Sequence, residues 1–459
     1  MKQFSYDTYL STFTYRYGSD EMRKIFSQYQ EKLYWRRVWT ALARAQYKTG
    51  LITNAEFEDI KKHSAKVDID ASQKIEEVTR HDVMAEVKFF ASQCKRGGGK
   101  IHLGATSTDI TDNADVLKFK DAVKIIREKL LKCLNNLQKL IKENKNTANI
   151  AFTHIQPAIV STYGYRFANY AQDLITDLKF LDFLAGNIKG KGLKGAVGNA
   201  ASYVYLFDGN QKKAEKLEEE FLKYLGLEAY EVTTQTYPRK QDYLIINALA
   251  SIAQSLHRIA LDIRILQSPV IGEVSEPFGE NQVGSTAMPF KKNPVTCERI
   301  CSLAEYIKAM PVVFWNNGAD TILERTLDDS ANRRIIFAES FLAADEILNL
   351  MNKVLSGLKL DKEKIKENLD KYGPAAMLEP LMMKLAKSGL SRQVLHEEIR
   401  KINLKIGQYA NAENLKREIL KTFKNKITQK ELDEVMNYKN YTGLAEAKCS
   451  KIISQISAG

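Results

Sequence analysis

From Asn113 to Lys145 the chain holds neither proline nor glycine. Its apolar residues Phe119, Val123, Ile126, Leu130, Cys133, Leu137 and Leu140 follow one another at intervals of four and three. That spacing keeps one stripe on a single side of a helix for roughly 30 Å, at about 1.5 Å per residue. The series Ile245, Leu249, Ile252, Leu256, Ile259, Ile263 and Leu266 repeats the pattern. Further apolar helices are predicted over about 161–184 and 335–355. Several long helices in one stretch imply an elongated bundle and an all-α fold. Ile125, Leu131, Leu134 and Ile141 widen the first stripe, and Ala248, Ala253 and Ala260 the second. A stripe that wide covers more than one neighbour. A large monomeric core would also use it, but length and width together favour helices that pack against other copies of the chain.

With 459 residues the chain is too long for one ordinary core. Three helical domains are expected. Residues 1–105 carry shorter helices and end in the cluster Gly97-Gly98-Gly99. Residues 106–357 form the central long-helix bundle. Residues 358–459 are lysine-rich, with helical patterns broken at Gly373-Pro374, Pro380 and Gly389. The stretch Gly186–Gly195 is rich in lysine and glycine but lacks the spacing of a phosphate-binding loop, so it is predicted to be a turn.

The net charge of +12 would suit nucleic acid. Yet the basic residues are interspersed with acids rather than gathered into an arm or tail, which points to a lysine-rich surface and to no nucleic-acid partner. Attraction of a polyanionic small substrate is a third reading. No apolar run offers the 18 or so residues that a membrane span needs, and the first residues have neither signal nor transit character. The five cysteines are scattered and odd in number. They fit neither a metal site nor a disulfide framework, and a cytoplasmic setting is expected.

The segment 284–294, Gly-Ser-Thr-Ala-Met-Pro-Phe-Lys-Lys-Asn-Pro, interrupts the helical pattern. By composition it is a surface loop. It could also be a lid, with Lys291 and Asn293 binding a carboxylate by charge and by amide donation. Ser285 has no adjacent histidine, which argues against a Ser-His-Asp hydrolase. Six histidines occur. His81, between Arg80 and Asp82, and His154, in Phe-Thr-His-Ile-Gln-Pro, are acid–base candidates because imidazole titrates near neutrality. His63 and His396 read as surface, and His257 as packing. No two histidines have metal-ligand spacing, so no metal is expected.

Thr106-Ser107-Thr108-Asp109 precedes the first long helix and reads as its cap. Free N–H groups there could also hold an anion. Within 324–334, Ser330 and Arg334 share a face if the stretch is helical. With Arg325 they would make a phosphate clamp, or else an ordinary capped helix start with solvated arginines.

Together these segments resemble a known family. The 284–294 loop is similar to the long signature of the fumarase/aspartase superfamily. Within that superfamily, Thr79–Val83, Thr106–Asp109, Thr153–Pro157, Thr234–Thr236, Glu324–Arg334 and the early Arg16-Tyr17 resemble the adenylosuccinate lyase family. The run His102–Ser107 looks closer to its animal-type branch. The resemblance implies a homotetramer whose helices form one multi-helix core, with active sites shared between subunits and no cofactor. It implies elimination of fumarate from adenylosuccinate, giving AMP, and from the succinyl-carboxamide ribotide of purine synthesis.

Carried over residue by residue, Ser285 is the base and His154 the acid. Glu298 orients that histidine, and Lys291 and Asn293 support the succinyl group. His81 sits in a substrate-binding motif with Arg80 and Asp82. Arg16, Tyr17, Arg299, Arg325, Ser330 and Arg334 match nucleotide and phosphate positions, and Thr106, Ser107 and Gln235 match substrate contacts. The family loop has two serines where this chain has Ser285-Thr286, which makes the first hydroxyl the catalytic one. The rivals are another fumarate-releasing lyase of the superfamily, such as one acting on argininosuccinate, and a basic helical binding protein without activity.

Overall fold

A computed structural model describes residues 7–407 and 409–458. The chain is helical almost throughout. Its long helices are α4 (Ser107–Asn144), α5 (Tyr163–Asn187), α6 (Lys240–Leu266), α7 (Val295–Ala319) and α8 (Asp328–Gly357). Ahead of them lie α1 (Gln28–Lys48), α2 (Ile69–Thr79) and α3 (Asp82–Gln93). All fourteen residues of the two heptad series are buried, so the four-three spacing marks the core faces of α4 and α6. By length and mean hydropathy α6 could cross a membrane, against the expectation that no stretch of the chain would be long and apolar enough. Its seven seam residues are instead covered by protein.

Contacts divide the chain into two compact units. The first comprises residues 1–129, 177–254 and 302–349, and the second 130–176, 255–301 and 350–459. In the first unit, the Tyr34 hydroxyl donates to Asp121 at 2.6 Å and ties α1 to α4. The Phe337 ring packs at a tilt against Phe119 and Phe314, with ring centroids 4.3 and 4.5 Å away, which joins α4, α7 and α8. Aromatic pairs at that range add to the burial of their area.

The 186–195 stretch is not the simple turn that composition suggested. α5 continues to Asn187, and the chain then runs inward. Lys191 is fully buried and pairs with Asp109 at 2.5 Å. A buried ammonium needs such a carboxylate, because an unpaired charge in the interior costs several kcal/mol, on the order of 3–5.

The second unit carries a feature that the helical reading missed. Ala148–Thr153 (β1) and Gln156–Thr162 (β2) pair as an antiparallel hairpin, with Thr153 opposite Gln156. His154 and Ile155 form the two-residue turn, at φ 54° and 58°. Such turns need two left-handed residues, and their sequence mark is Asn-Gly. His-Ile carries no such mark, and a branched residue at positive φ is strained. Further along, α9 (Leu378–Lys387), α10 (Arg392–Ile406), α11 (Ala412–Thr422) and α12 (Gln429–Val435) close around Leu381, Leu395, Leu415, Ile419 and Leu432.

The apolar residues that widened the stripes are covered within the chain. Leu134, Ile141, Ala248, Ala253 and Ala260 are buried, and Ile125 and Leu131 are half-buried. The exposed apolar side chains on the long helices are others: Phe183, Val312, Trp315 and Ile335 are each more than half exposed.

Candidate active site

The site residues fall into two sets, one in each unit. The first set centres on a cavity of 330 Å³ in the first unit, lined by Arg325, Ser330 and Arg334 among others. That size suits a small ligand. Ser330 and Arg334 lie one turn apart on α8, as their spacing predicted, and Arg325 comes from the segment just before it.

Arg334 donates from Nη2 to Asp82 at 2.6 Å. This bond brings the 79–83 motif to the cavity wall. Burial alone would raise the Asp82 pKa, but the hydrogen bond and charge of Arg334 outweigh it and hold the carboxyl below its ordinary value. The same pair raises Arg334 against its own burial.

Asp82 opens α3, and Arg80 closes α2 in the left-handed conformation, at φ 51°. Between them His81 is the N-cap of α3: its Nδ1 accepts from the Met84 amide at 3.3 Å. In the neutral ring the proton is therefore on Nε2. That nitrogen belongs to a half-exposed side chain and is open to a ligand.

Thr106 and Ser107 sit half-buried at the start of α4, where the Thr106 amide donates to Asp109 at 3.0 Å. Through its backbone Gln235 joins the start of α4 to the segment before α8. Its carbonyl accepts from the Thr108 hydroxyl, and its amide donates to the Glu324 carbonyl at 3.1 Å. Arg16 is exposed, with its guanidinium 5.9 Å from the Tyr17 ring.

The second set belongs to the second unit. The 284–294 loop is exposed over most of its length, as its composition suggested. It is nevertheless a built turn. A Cβ on Gly284 would stand 2.1 Å from the Lys291 carbonyl oxygen, so only glycine allows the two ends to approach. Asn293 Nδ2 donates to the Gly284 carbonyl at 3.0 Å. Ser285 Oγ accepts from the amides of Met288 at 3.1 Å and Ala287 at 3.3 Å. Lys291 is exposed, and Arg299 is half-buried in the first turn and a half of α7. His154 at the hairpin tip and Glu298 in the first turn of α7 are both exposed. Neither side chain has a hydrogen-bond partner among the described residues, so the expected Glu298–His154 pairing is not made within the chain.

The other histidines are engaged or remote. His102 Nδ1 accepts from Trp39 at 3.1 Å, and burial lowers its pKa. His63 read as surface, but its side chain is 14% exposed and its Nδ1 lies 2.8 Å from the Asp59 carbonyl. His396 is exposed, as expected.

The cavity wall also carries a charged network that the motifs do not single out, for Arg239, Arg333, Asp112 and Asp115 line it as well. Arg239 and Arg333 are buried among Asp112, Asp115, Asp242 and Asp329. Arg333 and Asp329 lie inside the 324–334 segment, yet nothing in sequence separates them from their solvent-facing neighbours. Burial works to raise Asp329, and the charges of Arg239 and Arg325 reverse it to a lowered value. At Asp242 burial wins over both arginines, and the pKa is raised.

Residues 14–308 match the family described as Lyase, and residues 374–452 the one described as Adenylosuccinate lyase C-terminus. The chain is 40% identical to the adenylosuccinate lyase of Schistosoma mansoni, over 86% of this chain and 83% of that relative. It belongs to the adenylosuccinate lyase family. With the family member of Saccharomyces cerevisiae identity is 36%, over 98% of this chain and 95% of the relative. With that of Pyrococcus horikoshii it is 36%, over 96% and 97%.

Two solved structures share the fold. A fumarate lyase from Mesorhizobium sp. BNC1 superposes with a TM-score of 0.84 at 23% identity, covering 97% of this chain and 99% of that one. The 3-carboxy-cis,cis-muconate lactonizing enzyme of Pseudomonas putida does so with 0.84 at 22%, with the same coverage.

Proposed function

We propose that this member of the adenylosuccinate lyase family cleaves adenylosuccinate to AMP and fumarate, and the succinyl-carboxamide ribotide to its free carboxamide and fumarate. The observation that carries this reading is the convergence of Arg325, Ser330 and Arg334 on one cavity. Two guanidinium forks and a hydroxyl suit a phosphate monoester, which a succinylated nucleotide has and argininosuccinate lacks.

In the reaction the base removes a proton from the carbon beside a succinyl carboxylate. That electron pair becomes the new double bond, the carbon–nitrogen bond breaks, and the departing nitrogen takes a proton. Ser285 is the proposed base and His154 the proposed acid. Lys291 and Asn293 hold the carboxylates, where negative charge accumulates and cationic or amide donors help most. Glu298 orients His154, and Arg80, His81 and Asp82 bind the substrate beside the phosphate clamp. Arg16, Tyr17 and Arg299 complete the nucleotide contacts, and Thr106, Ser107 and Gln235 line its path. No cofactor takes part. The test is release of fumarate and AMP in equal amounts from adenylosuccinate by the purified protein. Turnover of argininosuccinate or malate in its place would overturn the reading.

The site is completed, in this proposal, by residues from different copies of the chain in a cytoplasmic homotetramer. The unmade Glu298–His154 pairing and the bare Phe183, Val312, Trp315 and Ile335 support this. Large apolar side chains on helices intended for solvent are unfavourable, and contact with another copy covers them. The three segments 1–105, 106–357 and 358–459 are the proposed division of labour, with the long helices assembling in the middle. Sedimentation should show a tetramer, and a fully active monomer would contradict the shared site.

A further inference from the structure

We infer that Asp329, held through its other oxygen by Arg239, is a positioning residue for Arg325. Arg325 precedes α8, on a segment where its backbone amide closes a single turn onto the Ile322 carbonyl at 3.1 Å. Its Nη1 donates to Asp329 Oδ1 at 2.7 Å. The other oxygen, Oδ2, accepts from Arg239 Nε, also at 2.7 Å. Arg239 in turn forks onto both oxygens of Asp112, at 3.2 Å each. Asp112 is anchored by the Tyr237 amide at 3.0 Å. Asp329, Arg239 and Asp112 are all buried, whereas the Arg325 side chain is 21% exposed and lines the cavity. The series therefore runs along the cavity wall, from Asp112 and Arg239, which are buried but also line it, to the more exposed guanidinium of Arg325.

The order of charges explains why Arg239 is needed. A carboxylate alone with Arg325 would take it bidentately and occupy both of its forward donors. With one oxygen held by Arg239, Asp329 offers Arg325 a single bond. The remaining guanidinium N–H groups are left for an anion in the cavity that Arg325 lines. Part of the rotamer entropy of the long arginine side chain is thereby spent before the ligand arrives. The consequence for binding is pre-organisation.

This inference rests on the phosphate reading of Arg325, and a double-mutant cycle separates the two. The substitutions are Arg325→Ala, Asp329→Asn and their combination, assayed with adenylosuccinate and with its dephosphorylated nucleoside. Asp329→Asn keeps the shape but puts an amide N–H against one arginine. It should raise KM for adenylosuccinate roughly tenfold, the value of one charged hydrogen bond, with a smaller change in kcat. KM for the nucleoside should stay near wild type. In the Arg325→Ala background, Asp329→Asn should add little further effect. Arg239→Lys, which keeps the charge and loses the fork, should behave like Asp329→Asn and gives a second route if that variant folds poorly.

If Arg325→Ala leaves KM for adenylosuccinate unchanged, the phosphate reading of Arg325 fails. If Arg325→Ala raises KM but Asp329→Asn and Arg239→Lys multiply that rise in full, or impair the nucleoside equally, then the two residues act on structure at large and the positioning role is overturned.

Discussion

Ser285→Ala should lower turnover by about 10²–10⁴-fold, the usual contribution of a positioned general base, while substrate still binds. The expectation comes from geometry as well as from the loop signature. Ser285 Oγ faces the amides of Ala287 and Met288. Those two N–H groups point at the oxygen and favour any negative charge it carries, as donors around an oxyanion do. No histidine or carboxylate partners Ser285 among the described residues. Activation therefore falls to these amides and to groups that approach when the site is complete. The loop is exposed, so removing the hydroxyl leaves the two amides to water at little cost in stability. Thr286→Val tests the neighbour, whose hydroxyl replaces the family's second serine; it should keep near-normal turnover. Binding and turnover of adenylosuccinate by the two variants decide the matter. Near-normal turnover by Ser285→Ala would place the base elsewhere.

Asp109→Ala should produce the largest loss of stability, about 3–5 kcal/mol, because it strands a buried lysine. Asp109 Oδ1 accepts from Lys191 Nζ at 2.5 Å and from the amides of Gly195 and Lys194 at 3.1 and 3.3 Å. Its Oδ2 accepts from the Tyr203 hydroxyl and the Thr106 amide, both at 3.0 Å. Both Asp109 and Lys191 are completely buried. Alanine removes the carboxylate partner from a charged ammonium, which keeps the neutral Thr108 hydroxyl and Gly195 carbonyl at 3.2 and 2.8 Å, and takes the Asp109 acceptor from a phenol and three amides at once. The midpoint of thermal unfolding should fall by several degrees. The start of α4, with Thr106 and Ser107, should loosen as well, so that activity suffers before the chain unfolds. An unchanged midpoint would mean that Lys191 finds another partner or sheds its proton cheaply.

Asp109 also marks where sequence reading stops. Thr106-Ser107-Thr108-Asp109 was legible as a helix start, and α4 does begin at Ser107. Period and spacing reveal local structure, so the heptad faces of α4 and α6 and the Ser330–Arg334 face were readable. That Asp109 turns inward to a lysine 82 positions away depends on how separate segments pack, which no local pattern encodes. The same holds for Arg239, Asp112 and Asp329, each an ordinary charged residue in sequence and each buried.

The hairpin under His154 escaped for a different reason. Its turn is built from His and Ile, residues that do not announce left-handed backbone. Strain of that kind is kept where surrounding structure overdetermines it, often at functional sites, and here it sets a candidate acid on an exposed tip. The wide stripes that favour an oligomer in sequence are covered within the chain, whereas the exposed apolar residues are at positions that periodicity alone does not separate from the solvent face.

The most direct test is a parallel measurement of kcat/KM for adenylosuccinate, its dephosphorylated nucleoside and argininosuccinate with the purified wild-type protein, following fumarate release. Adenylosuccinate should be turned over readily, the nucleoside far less efficiently because the Arg325–Ser330–Arg334 clamp is unfilled, and argininosuccinate not at all. Equal efficiency with and without the phosphate, or turnover of argininosuccinate alone, would contradict the assignment of this site to a succinylated nucleotide.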